Sequence, residues 1–149
     1  MGPQRLKRDA AEVIRDCVAT RLRMANRVIT KVYDDPLRPH GLKVTQMAML
    51  VVAEDRGLIR QSEVGTELQL DDSTLSRNLE RMRSNGWLEE VVSADDARVH
   101  SYRLTEPGRA LLDKAIPAWR KAQEQTKRLL GHAGVQALRR FARQNGFRG

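Results

Sequence analysis

This sequence is poor in cysteine, aromatic rings and long apolar runs. Its 149 residues hold one cysteine, Cys17, so no internal disulfide can form and a cytoplasmic protein is the expectation. No run of eighteen apolar residues occurs, which argues against a membrane-spanning helix; no membrane partner is expected. The start, MGPQRLKRDAAEV, is basic but lacks the apolar core of a secretory signal. His40, His100 and His132 lie too far apart to pair as helical metal ligands, and Asp95 and Asp96 are two adjacent carboxylates without further donors. No metal and no cofactor is therefore expected. A glycine-rich phosphate loop, a nucleophile elbow and a Cys–His pairing are all missing, so the chain does not read as an enzyme.

What is abundant is positive charge. The net charge is +8, which favours acidic partners, nucleic acid first. The excess is uneven. Met1–Thr45 carries ten Lys/Arg against five Asp/Glu, and Glu106–Gly149 ten against three. Gln46–Thr105 between them has seven against eleven and is acidic overall. A nucleic-acid reader in the middle must then work through a few well-placed arginines, or with basic flanks beside it.

Helical periodicity dominates. Ile14, Val18, Leu22, Ala25, Ile29 and Val32 are spaced by threes and fours, which predicts a long amphipathic helix. Val13, Cys17, Met24 and Val28 form a second apolar row beside the first. So wide an arc implies contact with the chain's own core and with a second chain. Pro36, Pro39 and Gly41 should break this helix. Thr45 can cap the next, through Met47, Leu50 and Val51 to Gly57. A short helix follows over Gln61–Leu68, then one over the stretch DDSTLSRNLERMRSNG with Gly86 as its stop. Trp87–Val92 and Val99–Leu104 are rich in Val, Trp, Tyr and Leu and flank a polar tip, which reads as a β-hairpin with His100, Tyr102 and Leu104 on one face. Thr105 opens another long helix, with Pro107 in its first turn and Pro117 expected to bend it. GHAG ends it, before a last helix with Val135, Leu138 and Phe141. Met24 and Trp119 could line an effector pocket between helices, but at helical spacing they are expected in the core.

Two short helices joined by a tight turn and followed at once by a hairpin make a winged helix-turn-helix. Leu75, Leu79 and Met82 form the stripe a recognition helix buries, while Ser73, Arg77 and Glu80 point away from it. Arginine can fork onto guanine, hydroxyls can bond bases or phosphates, and the free amides near Gln61 and Ser62 can receive phosphates. The fold class expected is mainly α, with a two-stranded β-wing and long N- and C-terminal helices.

LRPHGLKVTQMAMLVV, STLSRNLERMRSNGWLEE, DDARVHSYRLTEPGRALL and IPAWRKAQ together resemble the multiple-antibiotic-resistance-regulator (MarR) family, from about Leu22 to Ala122. The resemblance implies a transcriptional regulator, typically a repressor, that binds a pseudo-palindromic promoter site on double-stranded DNA as a homodimer and is released by a small-molecule effector. It divides one 149-residue domain into dimerisation helices, 1–40 and 106–149, and a DNA-binding lobe, 42–105. Ser73, Thr74, Ser76 and Arg77 match the family's recognition helix, with Arg81 further along it. Asp96 and Arg98 match the wing's D-x-R element, where the arginine enters the minor groove and the aspartate holds the wing. Ala97 replaces an arginine common there, and Gly65 an alanine common in the third helix. Cys17 invites a redox-sensing alternative, and the effector-binding residues are not legible. Two further alternatives remain: a protein-interaction module built on the same fold, and a non-specific DNA-coating protein.

Overall fold

The computed structural model describes residues 2–96 and 98–146. Helix α1 (Pro3–Asp16) and α2 (Val18–Leu37) are followed by a 3-10 turn at Arg38–His40, α3 (Val44–Arg56), strand β1 (Ile59–Arg60), α4 (Gln61–Leu68), α5 (Asp72–Ser84), β2 (Leu88–Val92), β3 (His100–Leu104) and α6 (Glu106–Gln144). Helices form a stem from both ends of the chain, α2 lying along α6, and the segment between them forms a lobe around the three strands.

The long N-terminal helix departs from its periodicity at one residue. Cys17 is extended (ψ 107°) and splits it into α1 and α2, although its amide still donates to the Val13 carbonyl. Pro36 does not break α2 but sits in its last turn, where a missing amide costs one hydrogen bond. The helix ends at Leu37, which is fully buried, and Gly41 (φ 71°) turns the chain. Thr45 is not the cap of α3 but lies in its first turn. Lys43 holds the capping position; its amide donates to Gln46 Oε1 (3.1 Å), and the Val44 amide donates to Asp34 Oδ1 (2.8 Å). Two side chains thus satisfy the free amides, one from α2.

The sheet has three strands where the sequence implied two. β1 pairs antiparallel with β3, Ile59 opposite Tyr102 and Arg60 opposite Ser101, giving the order β1-β3-β2. β2 and β3 pair from Leu88–Leu104 to Val92–His100, within a residue of the expected ends. The extra strand alters the faces of β3: Ser101, Tyr102 and Leu104 are buried, while His100 and Arg103 are exposed. Leu37, Met49, Leu50, Ile59, Val64, Leu75, Leu79, Met82, Leu88 and Leu104 form the core, and Leu112 and Ala115 tie α6 to it. Met24 and Trp119 are not core residues; they are 64% and 37% exposed in the single chain. The periodicity placed them on helical faces correctly, but those faces are not covered by this chain.

α6 opens at Thr105, whose hydroxyl caps the Gly108 amide (3.1 Å). Its backbone stays helical at Pro117 and breaks at Gly131 (φ 67°, ψ 169°), within the GHAG sequence, leaving two arms.

Candidate nucleic-acid interface

The turn between α4 and α5 is closed by Gln69 in the left-handed region and by the Leu70 amide donating to the Gly65 carbonyl (3.0 Å). Gly65 has a packing reason. A Cβ there would stand 2.9 Å from Leu75 Cδ2, so the missing side chain lets α5 approach α4 closely. Leu75, Leu79 and Met82 are buried as a stripe, which turns Ser73, Ser76 and Arg77 outward to solvent; Thr74 is half-buried.

Asp71 caps α5. Its Oδ1 accepts from the Thr74 amide (2.8 Å) and the Ser73 hydroxyl (2.6 Å), and its Oδ2 from the Thr74 hydroxyl (2.6 Å). The Ser73 hydroxyl, then the Thr74 hydroxyl and amide, hold this carboxyl far below the usual carboxylate range. Gln61 Nε2 donates to Ser76 Oγ (3.1 Å), joining α4 to α5 across the outer face. Arg77 Nε donates to the Ser73 carbonyl (3.2 Å), leaving its two terminal nitrogens without a partner among the described residues.

In the wing, Asp96 Oδ1 accepts from the Arg98 amide (2.9 Å), and its carbonyl accepts from the Val99 amide (3.2 Å). Asp96 thereby shapes the tip and leaves Arg98 exposed. Ala97 lies outside the described residues. An open groove of about 1000 Å³ runs between α4, the start of α5 and the wing, bringing Gln61 and Ser62 together with Arg98. Arg81 does not join them. It lines a separate cleft of about 260 Å³ with Asp34, Arg38, Lys43 and Gln46, on the side toward the stem. Arg60 and His100 line the main groove, and Arg38 and Lys43 flank Arg81; sequence reasoning gave none of the four a place at the interface. Arg60 and Lys43 each stand one residue before a helix, a signal that was available.

Part of the acidity of the middle segment is held in local pairs. Glu89 pairs with Arg103 (2.5 Å), Glu90 with His100 (2.5 Å), Glu80 with Arg83 (2.8 Å), Glu54 with Arg109 (2.9 Å) and Glu67 with Arg56. These pairs leave Arg77 and Arg98 without a carboxylate partner among the described residues.

Residues 40–99 match the sequence model of the MarR family. The multiple antibiotic resistance protein MarR of Salmonella typhimurium is 29% identical over 108 residues, 71% of this chain and 75% of that protein. The crystal structure of the M. tuberculosis transcriptional regulator MOSR in complex with DNA is 35% identical, with a TM-score of 0.76 over 88% of this chain and 94% of that one. The chain belongs to the MarR family. That is a family of transcriptional regulators with the winged-helix fold. The MarR fold extends to Bordetella bronchiseptica BpsR, whose DNA binding is regulated by 6-hydroxynicotinic acid: 22% identity, 90% and 96% coverage, TM-score 0.78.

Cys17 caps the start of this MarR chain's α2, half-buried, with its thiol drawn below its usual range mainly by the Thr20 hydroxyl. Among the described residues, no cluster of three or more His, Cys, Asp or Glu is placed to hold a metal, and no helix is long and apolar enough to cross a membrane.

Proposed function

We propose that this chain is a homodimeric repressor that reads a pseudo-palindromic operator, each protomer laying α5 in a major groove and Arg98 of the wing against the neighbouring minor groove. One observation carries this reading. With Leu75, Leu79 and Met82 buried, Ser73, Ser76 and Arg77 face outward, and one groove joins α4 and α5 to the wing. Gln61, Ser62 and Arg81 are assigned to phosphates, Arg81 with Arg38 and Lys43 beside it. Asp96 holds the wing tip, and Thr74 supports the start of α5.

The dimer reading rests on the second apolar row. Val13, Met24 and Val28 of that row remain exposed, as do Ile14 and Val18 of the first row and Leu129 and Phe141 on α6. Exposed large apolar side chains on both long helices suit an interface with a second chain. Small-molecule control rests on a cavity of about 710 Å³ between α2 and both arms of α6, lined by Leu22, Ile29, Leu130, Val135 and Leu138. The Thr126 hydroxyl lies against it, 7% exposed and without a hydrogen-bond partner among the described residues. An apolar molecule with one hydrogen-bonding group suits it. Such a ligand acts on DNA binding only if it prefers one spacing of the two lobes over another.

The test is a competition titration with selected and random duplexes. Operator binding should survive random competitor, and its log affinity should fall against log salt by about 0.9 for each phosphate contacted. Equal affinity for both duplexes would leave only a non-specific DNA coat; no affinity for either would favour the protein-docking alternative.

A further inference from the structure

The outer face of α5 carries a hydrogen-bonding polarity that its sequence does not display. A serine hydroxyl has one hydrogen to give and two lone pairs to receive. The Ser73 hydrogen is given to Asp71, an ionised carboxylate that can only accept, at 2.6 Å. Thr74 gives its own to the other oxygen of the same carboxylate. Both hydroxyls are therefore left as acceptors only, and of the two it is Ser73 that faces outward. Ser76 is arranged the opposite way. Its oxygen already receives the Gln61 amide, at 3.1 Å, and its own hydrogen remains free to donate. Arg77 gives Nε to the Ser73 carbonyl and keeps its terminal fork, which can only donate.

Base edges in the major groove divide along the same line. Adenine N6 and cytosine N4 donate; guanine O6 and N7 and thymine O4 accept. On the reading that α5 enters the major groove, we propose that Asp71 fixes what Ser73 can recognise: an exocyclic amine, on adenine or cytosine, with guanine met by Arg77 further along. Ser73 and Arg77 are four residues apart, roughly 6 Å of helix rise, so the two bases stand about two base-pair steps apart. Thymine or guanine opposite Ser73 would set a carbonyl against an oxygen that has no hydrogen left to offer. Asp71 touches no base in this scheme; it is a positioning residue for specificity, acting through Ser73.

Selection from a random duplex library with the full-length chain provides the test, followed by titrations on the selected site. Enriched half-sites should show adenine or cytosine at one position and guanine about two steps away. Where adenine is selected, replacing it with purine deoxyriboside removes the amine together with its Watson–Crick bond to thymine, so the amine's contact with Ser73 is read from the difference between wild type and Ser73→Ala. Wild type should then bind about fivefold to tenfold more weakly, as for one lost hydrogen bond. Ser73→Ala should bind both duplexes alike, so the two losses do not add. Ser73→Ala keeps Asp71 and its bond to the Thr74 amide, so α5 stays capped; an unchanged melting temperature verifies that. Enrichment of thymine or guanine at that position, or full affinity for the amine-less duplex, would overturn the assignment. A library with no enrichment at all would sink operator reading itself, and this inference with it.

Discussion

At the scale of single residues, the outward face of α5 was legible and its wiring was not. Burial of Leu75, Leu79 and Met82 follows from a helical stripe, so Ser73, Ser76 and Arg77 had to face away from the lobe. Which hydroxyl donates and which accepts depends on rotamers around Asp71 and Gln61, and no spacing rule encodes those. Arg77→Ala should cost about 1–3 kcal/mol on the selected site and little on random DNA, measured by fluorescence anisotropy, if its free fork reads a base. Equal losses on both would make it a phosphate contact. Arg98→Ala should weaken operator binding and leave the melting temperature unchanged, because the side chain is exposed and only its backbone amide holds the wing tip. Asp71 also implies a direction with pH. Its folded-state pKa is depressed, so the stability it contributes is full above the ordinary carboxylate range, about 4, and is lost as pH falls below that range.

Elements show the same division between pattern and contact. The hairpin and the α4–turn–α5 unit were legible because alternation and turn residues bound them. β1 was not, since two residues have no period; it exists because Ile59 and Arg60 find the free edge of β3. The break at Cys17 was hidden for the reverse reason: apolar spacing runs straight across it. Contacts also explain glycines that patterns leave open. The root of the wing is clamped to α6 by Thr105, whose amide donates to the Trp87 carbonyl (3.1 Å) and whose hydroxyl donates to the Gly86 carbonyl (2.5 Å). Gly108 sits beneath this clamp, where a Cβ would fall 2.2 Å from the Trp87 carbonyl oxygen. Gly108→Ala should therefore destabilise by about 3 kcal/mol, lowering the melting temperature by roughly 10 °C in calorimetry. Gly65→Ala should cost much less, since its Cβ meets only the tip of Leu75 and alanine gains helix propensity.

For the whole molecule, the charge map and the apolar map separate two tasks. The basic ends of the chain form the stem, while the acidic middle folds into a lobe in which Glu54 and Glu89 pair with arginines outside α5 and Glu80 pairs with Arg83 within it. Two apolar rows were legible in the sequence, and the structure separates them in part: Leu22 and Ile29 line the cleft between α2 and α6, while Met24 and Val28 face solvent away from it, as do Ile14 and Val18. The cavity itself was not legible, because it depends on the angle that Gly131 sets between the arms of α6. Met24→Glu with Val28→Glu should leave the chain folded, as both positions are exposed in it, yet raise the dimer dissociation constant by about a hundredfold or more by placing carboxylates in an apolar interface. Light scattering reads the outcome, and an unaltered dimer would move the interface elsewhere. Hydroxyl-radical footprinting of the selected operator with the full-length chain tests the central claim most directly. Two protected patches related by a dyad, with centres about 34 Å apart and lost together in Arg77→Ala, are the predicted result. One unsymmetrical patch, or protection indifferent to sequence, would contradict it.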